Sequence, residues 1–419
     1  MRVKLTYGRS GLEVNVPDTA VILEPRHVTR LADEDRQAAE SLRHPVGSRP
    51  LKEQVKSSDR VCIVISDITR PTPNGKLVGW LLRELSHVPD RNFMVLNGTG
   101  THRDNTPEEL ARMLGHDVMR RVRVVNHHAS DAAALVHLGK TRCGAEVLLN
   151  REFVESDFKI VTGFIEPHFF AGFSGGPKGV MPGIAGMETI LHFHGAPLIG
   201  DPRSTWGILD GNPIHEEAAE IALLAKPDFL FNVALNGDKE ITAFFAGDMK
   251  TAHRAGCAYV KEQAMVKCPH PYDVVITTNS GYPLDQNLYQ AVKGMSAAQA
   301  ITRKGGTIIC AAECSEGLPD HGHYGKILQM ADSPRTLLDM IQKPSFRMPD
   351  QWQAQKQALV LTWADVFLYS SLSREVCERA MLKYTADIEA TAKEQLRRFG
   401  ADASLAVMPF GPLTIPYAG

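Results

Sequence analysis

At 419 residues and 46.1 kDa the chain exceeds the roughly 250–300 residues that one hydrophobic core serves, so two domains are expected. A composition of 43% hydrophobic and 22% charged residues is that of a globular enzyme, and a formal net charge of −2 excludes the basic footprint of a nucleic-acid binder. The longest apolar runs are strand-length, well below the ~18 residues a membrane span needs.

The opening, MRVKLTYGRSGLEVNVP, alternates in polarity about Gly8-Arg9-Ser10-Gly11. It predicts a β-hairpin rather than a signal peptide, and places the protein in the cytoplasm. Residues 61–65 (VCIVI) are a buried strand, and Leu77, Val78, Leu81, Leu82 and Leu85 follow at helical spacing. Residues 93–96 are the next strand. Thr106, Pro107 and Glu109 then open a helix with a capping box and a proline at its first position. Strands are expected over 121–126 and 159–164.

From about residue 272 the alternation restarts. Strands are predicted at 272–277, 306–312, 364–368 and 404–408, a helix at 288–300, and one long amphipathic helix over 377–398 that stops at Phe399-Gly400. The pattern is α/β: two α/β domains with mainly parallel sheets. Pro269 and Pro271 interrupt it, so the domains are expected at 1–268 and 269–419, with the last segment returning to the N-terminal domain. The seven cysteines (62, 143, 257, 268, 310, 314 and 377) are odd in number and form no CxxC pair, which predicts reduced structural thiols.

Polar motifs follow four predicted strands: SDITRP at 66–71, NGTGTHR at 97–103, EPH at 166–168 and TNSG at 278–281. Carboxyl ends of parallel strands form ligand crevices, so their coincidence points to a binding site. The stretch AGFSGGPKGVMPGIAG at 171–186 holds six glycines and two prolines, which no regular helix or central strand tolerates. Such a loop brings backbone N–H groups close to an anion or cofactor. It is not a P-loop, because Pro177 precedes Lys178 and Gly179 follows where a hydroxyl would bind magnesium. Nor is there a G-x-G-x-x-G, since Arg103 takes the third glycine's place after Gly98 and Gly100. Lys178 is either a solvated loop lysine or a desolvated nucleophile. Sixteen histidines yield roughly 0.6 H-x-H pairs by chance, so His192-Phe-His194 and His321-Gly-His323 weigh little alone. His102 and His168, each in a polar loop at a strand end, are stronger candidates.

Taken together, SDITRP at 66–71, GTGTHR at 98–103, EPHFFAGFSGGPK at 166–178, the histidine sixteen residues beyond Lys178, and QAVK at 290–293 resemble the nickel-dependent lactate racemase family. The resemblance implies an active site in a cleft between the two domains. It also implies a nickel pincer nucleotide, a pyridinium mononucleotide with a thioamide and a thiocarboxylate, joined to Lys178. His194 would be the nickel ligand, and His102 and His168 the paired acid/base groups. Arg70 and Lys293, with Gln290 and Tyr289, would hold the substrate carboxylate. Asp67, Gly98, Thr99, Gly100, Thr101, Gly175, Gly176 and Trp363 would line the cofactor pocket.

The residue chemistry suits those roles. Inverting a stereocentre needs catalysis on both faces of one carbon, which two histidines from separate loops can supply. A guanidinium binds a planar carboxylate bidentately and a lysine neutralises it. The implied reaction is epimerisation of a 2-hydroxyacid, lactate or a larger sugar acid, by reversible hydride transfer. Its partners are the small-molecule acid and the cofactor-maturation enzymes, with neither nucleic acid nor membrane. The oligomeric state stays open, a homo-oligomer included. Two rival readings compete: a divalent-metal isomerase of sugar acids or phosphate esters with Lys178 on phosphate, and a non-catalytic nickel-cofactor carrier. The second leaves His102, His168, Arg70 and Lys293 without a purpose. His321 and His323 could face a longer substrate.

Overall fold

The computed structural model describes residues 1–319 and 322–418, and the chain divides into two compact bodies. One contains His27–Phe193 and Arg203–Glu262; the other contains Met1–Arg26, His194–Pro202 and Gln263–Gly419. Among the described residues no helix is long and apolar enough to cross a membrane.

The first body is built on a six-stranded sheet in the order Ile241–Gly247, Phe229–Leu235, Phe158–Ile165, Val61–Ser66, Phe93–Gly98, Arg123–Asn126. All pairings are parallel except that of the Ile241–Gly247 edge. Val61, Ile63, Ile65, Val95, Ile160 and Phe231 bury one face of this sheet against Leu77, Val78, Leu81 and Leu85 of the helix Asn74–Glu84. The chain leaves Val61–Ser66 towards Phe93–Gly98 on one side and returns to pair with Phe158–Ile165 on the other. The topological switch point, where α/β sheets open their ligand crevice, therefore lies between the ends of these two strands.

The second body carries an all-parallel sheet ordered Lys383–Tyr384, Asp365–Tyr369, Thr302–Ala311, Tyr272–Thr278, Leu405–Met408, Val21–Ile22. The opening hairpin forms as expected, with Arg2–Leu5 antiparallel to Leu12–Asn15. Its apolar face (Val3, Leu5, Val14) packs on Val274, Ile276 and Val407. That burial, with the pairing of Val21–Ile22 to Leu405–Met408, draws the first 26 residues into the C-terminal body rather than into a 1–268 domain. The last strand, Ile415–Ala418, pairs with Met265–Cys268 and stays in this body instead of returning to the N-terminal one.

The expected helix over 377–398 is two helices, Arg374–Arg379 and Ile388–Phe399, separated by the edge strand Lys383–Tyr384. Met381 adopts φ +61°, and the Asp387 carboxylate accepts from the Ala390 N–H at 3.0 Å, capping the second helix. All seven cysteines are free thiols, and six are buried.

Candidate active site

Three of the four polar motifs converge on the carboxyl edge of the first body's sheet. Asp67 and Arg70 follow Val61–Ser66, Gly98–His102 follow Phe93–Gly98, and His168 follows Phe158–Ile165. Buried amides lock these loops together. Asn97 Nδ2 donates to Asn105 Oδ1 at 2.9 Å and to Asn126 Oδ1 at 2.8 Å, while Asn105 Oδ1 also accepts from the Ile68 N–H. The Gly100 N–H donates to the Gly183 carbonyl at 3.0 Å, laying the 98–101 loop against the glycine-rich one. Thr99 Oγ1 donates to the His127 carbonyl at 2.6 Å, so Thr99 is spent on holding the loop.

The glycine-rich stretch makes a tight 3-10 turn at Gly176–Gly179 that carries Lys178 half-buried. A Cβ on Gly176 would lie 2.4 Å from the His253 ring, and one on Gly183 would lie 2.3 Å from the Gly179 carbonyl oxygen, so neither position admits a side chain. The Gly176 N–H donates to Asn232 Oδ1 at 2.8 Å. Lys178 Nζ stands 5.4 Å from the Phe170 ring centroid, and the same ring meets His168 edge-on at 4.4 Å. Lysine and histidine are thus gathered around one aromatic side chain.

The two histidines have opposite proton arrangements. His102 Nδ1 lies 2.8 Å from Asp67 Oδ2, and a carboxylate only accepts, so the Nδ1 of His102 carries a proton and Nε2 is the ring nitrogen left for exchange. His168 Nδ1 instead faces the backbone N–H groups of Phe170 and Ala171 at 3.5 and 3.3 Å, so it accepts and the proton sits on Nε2. Burial pushes the Asp67 carboxyl up, but bonds from His102 and from Thr69 Oγ1, with the nearby Arg70 charge, outweigh it and hold Asp67 ionised. Asp67, expected to line a cofactor pocket, is hydrogen-bonded to His102 Nδ1.

In the second body, His194 is 5% exposed and its ring lies 4.4 Å from that of Trp352, 33° from parallel. Trp352 Nε1 donates to Tyr289 Oη at 3.2 Å, and Gln353 Nε2 donates to the Tyr289 carbonyl. Asn287 caps the helix Leu288–Gln299, whose first turns carry Tyr289, Gln290 and Lys293. Tyr289 and Lys293 are four residues apart and share a face.

Trp363 does not join this group. It ends the helix Gln351–Trp363, and its indole N–H donates 2.7 Å to the Thr302 carbonyl, at the amino end of the sheet. Trp352, at the other end of that helix roughly 16 Å away, is the tryptophan beside His194. The fourth motif is structural: Thr278 Oγ1 and Ser280 Oγ donate to the Pro409 and Phe410 carbonyls, and Asn279 Oδ1 accepts from the Gly294 N–H. His321 lies outside the described residues, whereas the His323 N–H donates to Asp350 Oδ2 at 2.9 Å.

The lactate racemase N-terminal domain model matches residues 7–207, and the C-terminal domain model matches 267–415. The chain belongs to the lactate racemase family. It is 39% identical to a lactate racemase of Lactiplantibacillus plantarum over 382 residues, 90% of each chain. A second relative, a lactate racemase of Thermoanaerobacterium thermosaccharolyticum, is 34% identical over 98% of this chain and 97% of its own. The solved lactate racemase apoprotein from that organism superposes with a TM-score of 0.93 at 32% identity, covering 99% of this chain and 100% of that one. A Thermotoga maritima protein of known structure shares the fold at 22% identity and a TM-score of 0.69, covering 92% and 98%.

This racemase is an isomerase, and its Asp67 and His102 side chains are hydrogen-bonded at 2.8 Å. Replacing Asp67 by Asn removes the charge that holds His102. Turnover is expected to fall roughly ten- to a hundredfold, the usual loss for one charge-assisted hydrogen bond. Wild-type turnover in Asp67→Asn would make the pair incidental.

Proposed function

We propose that this racemase inverts the α-carbon of a 2-hydroxyacid, lactate or a larger acid, with a nickel pincer nucleotide tethered to Lys178 and His194 as the metal's protein ligand. The observation that carries this reading is the pair of histidines in opposite proton arrangements beside a glycine-caged lysine. The fit to the cofactor rests on three features. A Cβ on Gly98 would press on the Ile65 and Gly183 carbonyl oxygens, and one on Gly183 on that of Gly179, so the Lys178 turn is held in close backbone contact with the loop after Phe93–Gly98. Asn232 Nδ2, buried under the Gly176 turn, has no hydrogen-bond partner. Among the described residues no three His, Cys, Asp or Glu side chains converge to hold a metal by themselves, so a metal at His194 needs donors that a cofactor brings.

When bound, such a cofactor would supply the acceptor for the α-hydrogen as hydride. The chain's own residues do the rest. Arg70 and Lys293 bind the carboxylate, with Gln290 and Tyr289 beside them. His102 Nε2 takes the hydroxyl proton when its side faces the substrate, and His168 Nε2 returns one on the opposite side, their roles exchanging with direction. Asp67 stabilises the imidazolium that His102 becomes. Maturation enzymes would have to furnish the nucleotide.

The test is racemisation in heavy water, starting from one enantiomer of lactate and from longer 2-hydroxyacids. Little deuterium is expected at the α-carbon after many turnovers, because the histidines handle only the hydroxyl proton. Near-complete α-deuteration would replace hydride transfer with two-base proton abstraction, and inertness towards every acid would remove the substrate class.

A further inference from the structure

Behind the Lys178 turn lies a layer of side chains to which the proposed chemistry gives no role. His253, on the helix Met249–Ala264, is 2% exposed. Its Nε2 lies 2.9 Å from the Ser174 carbonyl oxygen. A carbonyl only accepts, so Nε2 carries the proton, and Cys257 Sγ lies 3.4 Å from the same nitrogen. The ring presses on Gly176, where any Cβ would collide with Cγ, Cδ2 and Nδ1. On its other side His215, from the helix Pro213–Ala225, stacks at 5.8 Å and 23°. The charged neighbours of the pair are Arg254, bridged to Asp210 at 2.7 Å, Glu216, and Lys178 itself. Burial keeps both imidazoles neutral, with pKa values lowered to about 4. His253 therefore keeps its Nε2–H pointed at the Ser174 carbonyl at neutral pH.

We propose that His253 is a positioning residue of the Lys178 turn. Its Nε2–H fixes the Ser174 carbonyl and its ring fixes Gly176, so that the lysine two residues on is aimed one way. Asn232 Oδ1, which accepts from the Gly176 N–H, is the second anchor. Histidine suits the place because it combines a flat face for the glycine with a donor at the ring's far corner. The inference rests on Lys178 as the attachment point of the cofactor.

The experiment is intact-mass measurement of the racemase produced alongside the cofactor-maturation enzymes. His253→Leu keeps apolar bulk without a donor, and leaves a buried carbonyl unsatisfied. It is expected to carry roughly tenfold less adduct than the unsubstituted chain, while His253→Gln, whose amide N–H reaches the Nε2 position, recovers most of it. Adduct at the unsubstituted level in His253→Leu overturns the role of His253 and leaves the tether intact. Adduct persisting in Lys178→Ala overturns the tether instead. Should leucine prevent folding, the unsubstituted chain decides by ring-nitrogen NMR. A neutral Nε2–H tautomer throughout pH 5–8 is expected, and a proton on Nδ1, or titration near the ordinary histidine value, overturns the assignment.

Discussion

Substituting Lys178 by alanine is expected to abolish the covalent cofactor mass completely, even with the maturation enzymes present. The competing candidate is Lys356. It sits in the middle of the helix Gln351–Trp363, and burial pulls its pKa down to about 8, so a larger fraction is neutral and nucleophilic at physiological pH. Access favours Lys178, which is half-exposed on its turn, whereas Lys356 is 8% exposed. Intact-mass measurement on Lys178→Ala and Lys356→Ala separates the two. An adduct lost from the second variant and kept by the first would move the tether to the other body and require a different metal geometry.

Stability is expected to fall steeply between pH 6.5 and pH 4. His127, His215 and His253 are all lowered to about 4, each by burial above all. Above the unfolded value of 6.5 both states are neutral and these groups contribute no pH dependence. Below it the unfolded chain takes up protons that the folded one refuses, so folding stability declines until the folded values are reached. Each histidine accounts for on the order of 3 kcal/mol across that window. His127 offers the cleanest check. Its Nε2 donates to the Ala185 carbonyl at 2.9 Å and its Nδ1 lies 3.2 Å from Asn150 Nδ2. His127→Gln keeps a donor without titrating, so its denaturation midpoint should depend on pH less steeply. A midpoint that is flat from pH 6.5 to 4.5 in the unsubstituted chain would show that these histidines are not held neutral.

Much of this was legible in the residues because local physics decided it. Thr106 and Glu109 form their capping box, and the strands at 61, 93, 158 and 272 end where the polar motifs begin. The direction of a parallel strand puts Asp67, His102 and His168 on one edge, whatever the rest of the chain does. What the sequence hid is set by distant partners. Nothing within 1–26 reveals that Val21–Ile22 will pair with Leu405–Met408. Residues 377–398 keep a helical period, yet Lys383–Tyr384 is claimed by the edge of a sheet. Trp352 and Trp363 look alike in sequence; chain direction through the helix puts the first near His194 and the second at the sheet's amino end. The contact of Asp67 with His102 could have been inferred from a carboxylate and a histidine at the ends of adjacent parallel strands, Val61–Ser66 and Phe93–Gly98.

The three-part make-up of the second body also governs the order in which the protein can assemble on the ribosome. Strand Val21–Ile22 is made long before its partner Leu405–Met408. The sheet around His27–Phe193 and Arg203–Glu262 can close while synthesis continues, since all six of its strands lie within 61–247. The hairpin and the His194–Pro202 segment belong to a body whose remaining residues, Gln263 onward, are made later. A nascent chain stalled short of residue 405 would therefore lack Leu405 and Val407 beneath the hairpin and leave Val21–Ile22 without its strand partner.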